Sequence, residues 1–166
     1  MFTKMRIILM ALALVTLPHA AMTEGTQVTF GGLKHDSSLQ VEVSSDKLQI
    51  NQTDGSAVFT GNVVIGQGTM RISAGRVVVE YSKGTGPRRI SRMHATGGVV
   101  LVNGAEAAEA QEAIYSIDSG NIVMTGNVIL TQGQSALSSN RMDVDLNTGQ
   151  ATLVGRVKSI IQTGGN

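Results

Sequence analysis

Apolar and polar positions alternate with a period of two along most of the chain beyond residue 40. In one run Ala57, Phe59, Gly61, Val63 and Ile65 fall on one face, and Val58, Thr60, Asn62 and Val64 on the other. Side chains alternate across a strand, so the first set is the natural inner face. Gly66-Gln67-Gly68 then makes a corner. The following run turns Met70, Ile72 and Ala74 inward and Thr69, Arg71 and Ser73 outward, and Gly75-Arg76 makes a second corner before Val77, Val79 and Tyr81. Upstream, Val43 precedes a turn at Ser44-Ser45-Asp46, after which Leu48 and Ile50 resume the inward set. Helical spacing is absent, and glycines and β-branched residues are too dense for helices. Gly104 to Ala113 is rich in Ala and Glu and has helical propensity, but the frame continues through it, so strand and turn are expected there too.

The pattern repeats. Thr60-Gly61-Asn62-Val63 returns as Thr125-Gly126-Asn127-Val128, followed in both copies by Gln-Gly (67–68, 132–133), a serine (Ser73, Ser138) and an arginine (Arg76, Arg141). Looser echoes lie at Ala95-Thr96-Gly97-Gly98-Val99 and Leu153-Val154-Gly155-Arg156-Val157. In the second repeat Ile122, Met124, Gly126, Val128 and Leu130 take the inward places, then Leu137, Met142, Val144 and Leu146. Met93, Ala95, Gly97, Val99 and Leu101 form a similar strand between the repeats, and Leu153, Gly155 and Val157 the last. A period of roughly 30 residues signals stacked units that cannot bury their apolar faces alone. The expected fold is all-β: two antiparallel sheets folded over one another as an elongated β-jellyroll or solenoid with an internal repeat, at about residues 43–81 and 108–146. Its ends would carry unpaired strand edges, Thr26 to Phe30 at one and Val157 to Gln162 at the other. Such edges can pair between molecules head to tail.

Composition changes the picture in two ways. Apolar residues make up 42% of the chain but aromatics only 3%, with no Trp, so the interior must be aliphatic. There are no cysteines, which removes disulfides and thiol chemistry. The first residues read as an export signal. Lys4 and Arg6 precede an apolar run from Ile7 to Leu17, too short to span a bilayer, and small residues for cleavage follow near Ala20 and Ala21. Residues 1–21 are therefore expected to be a signal peptide and 22–166 a single domain. The formal charge of +1 falls to −1 without Lys4 and Arg6, so nucleic acid is not an expected partner.

The combined string Ser45-Asp46-Lys47-Leu48, Ala57 to Val63, Gln67-Gly68 and Met70 to Ala74 resembles the OstA-like family. The resemblance runs over about residues 24–163. It implies a twisted β-jellyroll whose copies join end to end in the periplasm. The assembly would bridge an inner-membrane component and an outer-membrane translocon and carry lipopolysaccharide, with the lipid A acyl chains in an apolar groove. On matching positions, Leu48, Ile50, Phe59, Val63, Ile65, Ile72, Val79, Met124, Val128 and Leu130 line that groove. The second repeat departs at its start, where Gln111-Glu112-Ala113 replaces Asp46-Lys47-Leu48. Two alternatives are a membrane-anchored bridge partner of the same system and a purely structural exported solenoid with a closed core.

Chemistry beyond lipid binding finds little support. No phosphate-binding GxxxxGK[ST] loop is present, and neither His35 nor His94 sits in a catalytic motif. No enzyme activity, cofactor or metal is expected. Asp143 and Asp145 share a strand face and could hold a cation, though an exposed polar face explains them as well. Lys83, Arg88, Arg89, Arg92 and His94 surround a Gly-Thr-Gly-Pro turn and suit either lipid phosphates or solvent. The recurrence of Arg76 and Arg141 suggests bonding of corner carbonyls.

Overall fold

Buried backbone amides of an all-β chain must find partners on neighbouring strands, and here an up-and-down meander provides most of them. The computed structural model describes residues 25–29, 36 and 38–160. It contains eleven strands: β1 (Thr26–Thr29), β2 (Val41–Ser44), β3 (Lys47–Ile50), β4 (Ala57–Gln67), β5 (Met70–Tyr81), β6 (Ile90–Asn103), β7 (Glu106–Ser116), β8 (Asn121–Gln132), β9 (Ser135–Asp145), β10 (Gln150–Val154) and β11 (Lys158–Ile160). All pairings are antiparallel, in the order β1-β10-β9-β8-β7-β6-β5-β4-β2, with β3 also on β4 and β11 also on β9. The Ala/Glu stretch is strand β7, as the repeat frame requires.

The two expected sheets are the two walls of one continuous ladder, bent along a line of corners. On β4 the register steps from Thr60↔Arg76 to Val63↔Ala74, so Gly61 and Asn62 stand against Gly75 alone. Gly61 and Asn62 both take positive φ, 81° and 46°. Gly97-Gly98, Gly126-Asn127 and Gly155-Arg156 repeat that left-handed pair, and each marks a break in its ladder or, for the last, the gap between β10 and β11. A bulge of this kind bends its strand and raises the local twist. The recurring Thr-Gly-Asn-Val therefore encodes the bend itself. Gly61 is one half of that bend, and is not an inward position of an unbroken strand.

Each corner is crossed by a neighbouring strand. Asp46 lies over Gly61, donates its N–H to the Gly61 carbonyl at 2.9 Å and accepts from Asn62 Nδ2 at 2.9 Å. Asn140 repeats the backbone bond to Gly155 at 2.9 Å. Gln111 lies over Gly126 in the same way. The sequence departure at Gln111 thus keeps the geometric role of Asp46 while changing its chemistry. At the remaining corner Gly97 faces Gly75, and no side chain crosses.

On one side of the corners runs a long wall, from β3 through the outer halves of β4–β9 to β10 and β1. On the other runs a short wall, from β2 to β11. Thr26 to Thr29 and Lys158 to Ile160 were expected at opposite ends. They lie at the same end, because β1 pairs with β10 and β11 with β9, while β2 and β3 form the other end. The reason is topological: a meander places its last strand far from β2, and the N-terminal strand has docked on that last strand. Phe30, Ile161, Gln162 and residues 1–21, where a signal peptide is expected, fall outside the described residues.

Candidate functional site

The inner faces of the two walls meet in one aliphatic interior. Its largest fully buried side chains include Ile65, Met70, Met93, Leu101, Ile122, Met124, Leu130, Met142 and Leu146, with Tyr115 the one aromatic among them. Val, Leu, Ile and Met fill such a space without fixed ring geometry, and methionine adapts its shape readily.

The expected groove residues divide into three groups. Val63, Ile65, Ile72, Val79, Met124, Val128 and Leu130 come together in this interior, each at most 2% exposed. Phe59 is partly buried against the same cluster. Leu48 and Ile50, on edge strand β3, are 52% and 59% exposed. The structure thus shows a sealed apolar interior with greasy positions open at its β2–β3 end. Surface depressions, such as one of about 500 Å³ bounded by Asp54, Val78, Glu80, Tyr81, Lys83 and Asp118, lie on the outer side and loops.

A line of amides runs along the open margin of the interior. Gln67, Asn103 and Gln132 end the even strands β4, β6 and β8 at matching positions. Gln67 Nε2 donates to the Leu39 carbonyl at 2.9 Å, and Tyr115, on the opposite wall, donates its OH to Gln67 Oε1 at 2.8 Å. Thr69 Oγ1 donates to Asn103 Oδ1 at 2.8 Å. Gln132 Nε2 donates to the Thr29 carbonyl of β1 at 2.6 Å and to Glu106 Oε1 at 2.9 Å. Two of these bonds, Tyr115 to Gln67 and Gln132 to Thr29, join the free margin of the short wall to the long wall, and the other three tie that margin together along the short wall. Burial pushes the Tyr115 hydroxyl up to about 12. The Glu106 carboxyl is also raised, chiefly by desolvation, and its Oε2 has no hydrogen-bond partner. The signal for this seam was present in Gln67-Gly68, Asn103-Gly104 and Gln132-Gly133, three amide-glycine pairs in register.

The candidate charges are used locally. Arg88 stacks on the Tyr81 ring at 4.4 Å and donates to the Gly55 carbonyl. Arg92 pairs with Glu80 at 2.7 Å and His94 with Glu112 at 2.5 Å. Arg141 forks onto Asp143 at 2.8 and 2.5 Å, and not onto a corner carbonyl. Arg71 does bond a corner carbonyl, reaching Gly68 O at 2.6 Å. Asp145 accepts from the Asn147 N–H, which lowers its pKa. Among the described residues no group of three or more acidic or histidine side chains could hold a metal ion.

Comparison with known proteins agrees with this architecture. Residues 42–150 match the family model described as LptA/(LptD N-terminal domain) LPS transport protein. An uncharacterised protein of Rhizobium meliloti (strain 1021) is 30% identical over 140 residues, covering 81% of this chain and 75% of that protein. Among solved structures, LptH of Pseudomonas aeruginosa superposes with a TM-score of 0.67 at 15% identity, over 76% of this chain and 98% of that one. LptH is described as the LptA-homologous periplasmic component of that organism's lipopolysaccharide transport device, and the likeness to it is one of fold.

Proposed function

The chain belongs to the LptA/(LptD N-terminal domain) family of LPS transport proteins, and from that premise we propose that it is a periplasmic carrier of lipopolysaccharide. Copies joined head to tail would bridge an inner-membrane component and an outer-membrane translocon. The observation that carries this reading is the interior itself: one continuous aliphatic core between the two walls, closed along its length and ending in the exposed Leu48 and Ile50 of β3.

The seam is weak beside the free energy that keeps an acyl chain out of water. Each seam hydrogen bond is worth about 0.5–1.5 kcal/mol net. An acyl chain of about 12 methylenes gains roughly 10 kcal/mol on leaving water. One chain entering between the walls therefore outweighs the amide stitches, and the parted wall residues meet acyl carbon in place of each other. Transfer between identical copies has little net driving force, so direction has to come from elsewhere.

A photo-crosslinking residue at Val63 or Val128, both inward, should capture lipopolysaccharide far better than one at the outward Val58 or Val123. Equal capture from both faces would count against the carrier. The sealed state of seven groove positions favours a second reading, a structural β-solenoid that binds no lipid. Mass spectrometry of the protein purified from its native envelope separates them, since the solenoid should come free of acyl chains.

A further inference from the structure

The two ends of the ladder are built differently. Among the described residues, β2 and β3 leave both walls with an unpaired edge at one end. At the other, β11 leaves the short wall unpaired while β1 covers β10 on the long wall. The corners say what each end can accept. Strands alternate between those with a left-handed pair (β4, β6, β8 and β10–β11) and those that cross it with a single residue (β2–β3, β5, β7 and β9). The ladder begins with the crossing type and ends with the paired type, so a second copy can be added without breaking the alternation.

The register of that addition follows from β4 and β5. There Phe59 faces Val77 and Ala57 faces Val79, counted from the Gly61 corner. Counted likewise from Gly155, Leu153 would face Leu48 of the next copy, Thr152 its Gln49 and Ala151 its Ile50. On the short wall, Lys158 would face its Ser44, just as Val64 faces Ser44 within one chain. The apolar edge residues Leu48 and Ile50, more than half exposed here, would then be covered. Ile160 of β11, 73% exposed, lies on the same composite edge.

That place on β10 is occupied. Thr26 faces Leu153 and Val28 faces Ala151, so β1 holds the two positions that Leu48 and Ile50 of a neighbour would take. β1 offers a threonine and a valine where the neighbour offers a leucine and an isoleucine. It is four residues long, mostly exposed, and held besides its ladder by the Gln132 bond to Thr29. We infer that β1 is an internal stand-in for β3 of a second copy, and that head-to-tail joining requires β1 to leave β10. This rests on the end-to-end assembly proposed above and adds the strand that guards it. Joining of monomers is thereby weakened, because the competent fraction scales the apparent affinity.

Cross-linking tests it. Gln27 and Thr152 sit directly opposite on β1 and β10 and point outward, a spacing that suits a disulfide. The chain has no other cysteine. The Gln27→Cys/Thr152→Cys protein should stay monomeric by sedimentation velocity when oxidised and assemble when reduced. A chain lacking residues 26–29 should assemble with an apparent dissociation constant about ten-fold or more below that of the full chain, as expected if β1 is docked in some nine molecules of ten. Oxidised protein that assembles as well as reduced protein overturns the guard and leaves the bridge intact. If locked, unlocked and shortened chains all remain monomeric, the guard and the end-to-end assembly fall together.

Discussion

Replacing Gly126 with alanine probes how the walls are bent. Gly126 holds φ at 84°, where a Cβ costs about 1–2 kcal/mol. The added methyl would also lie 2.6 Å from Gln111 Oε1 and 2.9 Å from Gln111 Cβ. The amide tip can swing away, but the Cβ is fixed to the backbone of β7, so overpacking adds about 1–3 kcal/mol. The total expected loss is about 2–5 kcal/mol. Gly98 supplies the control, with φ of 80° and nothing within 4 Å of a methyl. Gly98→Ala should therefore show the backbone cost alone, about 1–2 kcal/mol. Urea unfolding followed by circular dichroism measures both. The excess at Gly126 should disappear in a Gln111→Gly background, measured as a double-mutant cycle, because that corner would then resemble Gly75 facing Gly97. Equal losses at Gly98 and Gly126, or an excess that persists without the Gln111 side chain, would refute the idea that the crossing Gln111 side chain seats the Gly126 corner.

Two further outcomes concern the seam. Tyr115 ionises at about 12 in the folded chain and at 10.0 when free. The raised value means stability is intact below pH 10 and declines as pH rises toward 12, by on the order of 2 kcal/mol. In Tyr115→Phe that decline should shrink, and the loss of the bond to Gln67 should cost about 1–2 kcal/mol at neutral pH; thermal melts between pH 7 and 11.5 report both. Glu106 also has a raised pKa, so its ionised form opposes folding above the ordinary 4.5. Glu106→Gln should raise the melting temperature at pH 7 and change it little near pH 4, and a gain of equal size at both pH values would contradict the assignment to desolvation.

Much of the fold was legible in the chain, for a reason visible at β5. There the inward set shifts phase between Ala74 and Val77, and the change marks the Gly75-Arg76 corner. The corners of β4 and β8 were hidden because two left-handed residues preserve the alternation. Phe59 and Val63 share a face across Gly61-Asn62, so the run reads as one straight strand. The inward residues were equally clear from alternation, but whether they are sealed depends on contacts between walls that periodicity does not encode. Gln67 meets Tyr115 across 48 positions of sequence, and Gln132 meets Thr29 across 103. The placement of β1 was missed for the same reason, since nothing in Thr-Gln-Val-Thr names β10 as its neighbour.

The docking of β1 on β10 also sets an order of events in time. Strands β2 to β11 pair with close neighbours along the chain and can zip up as they become available. β1 has to wait for Gln150 to Leu153, and such distant closures form slowly. A chain delivered amino end first would thus present its earliest segment unsatisfied until nearly everything else had been made. During that interval the last strand is open to whichever suitor arrives first, its own beginning or a neighbour already folded.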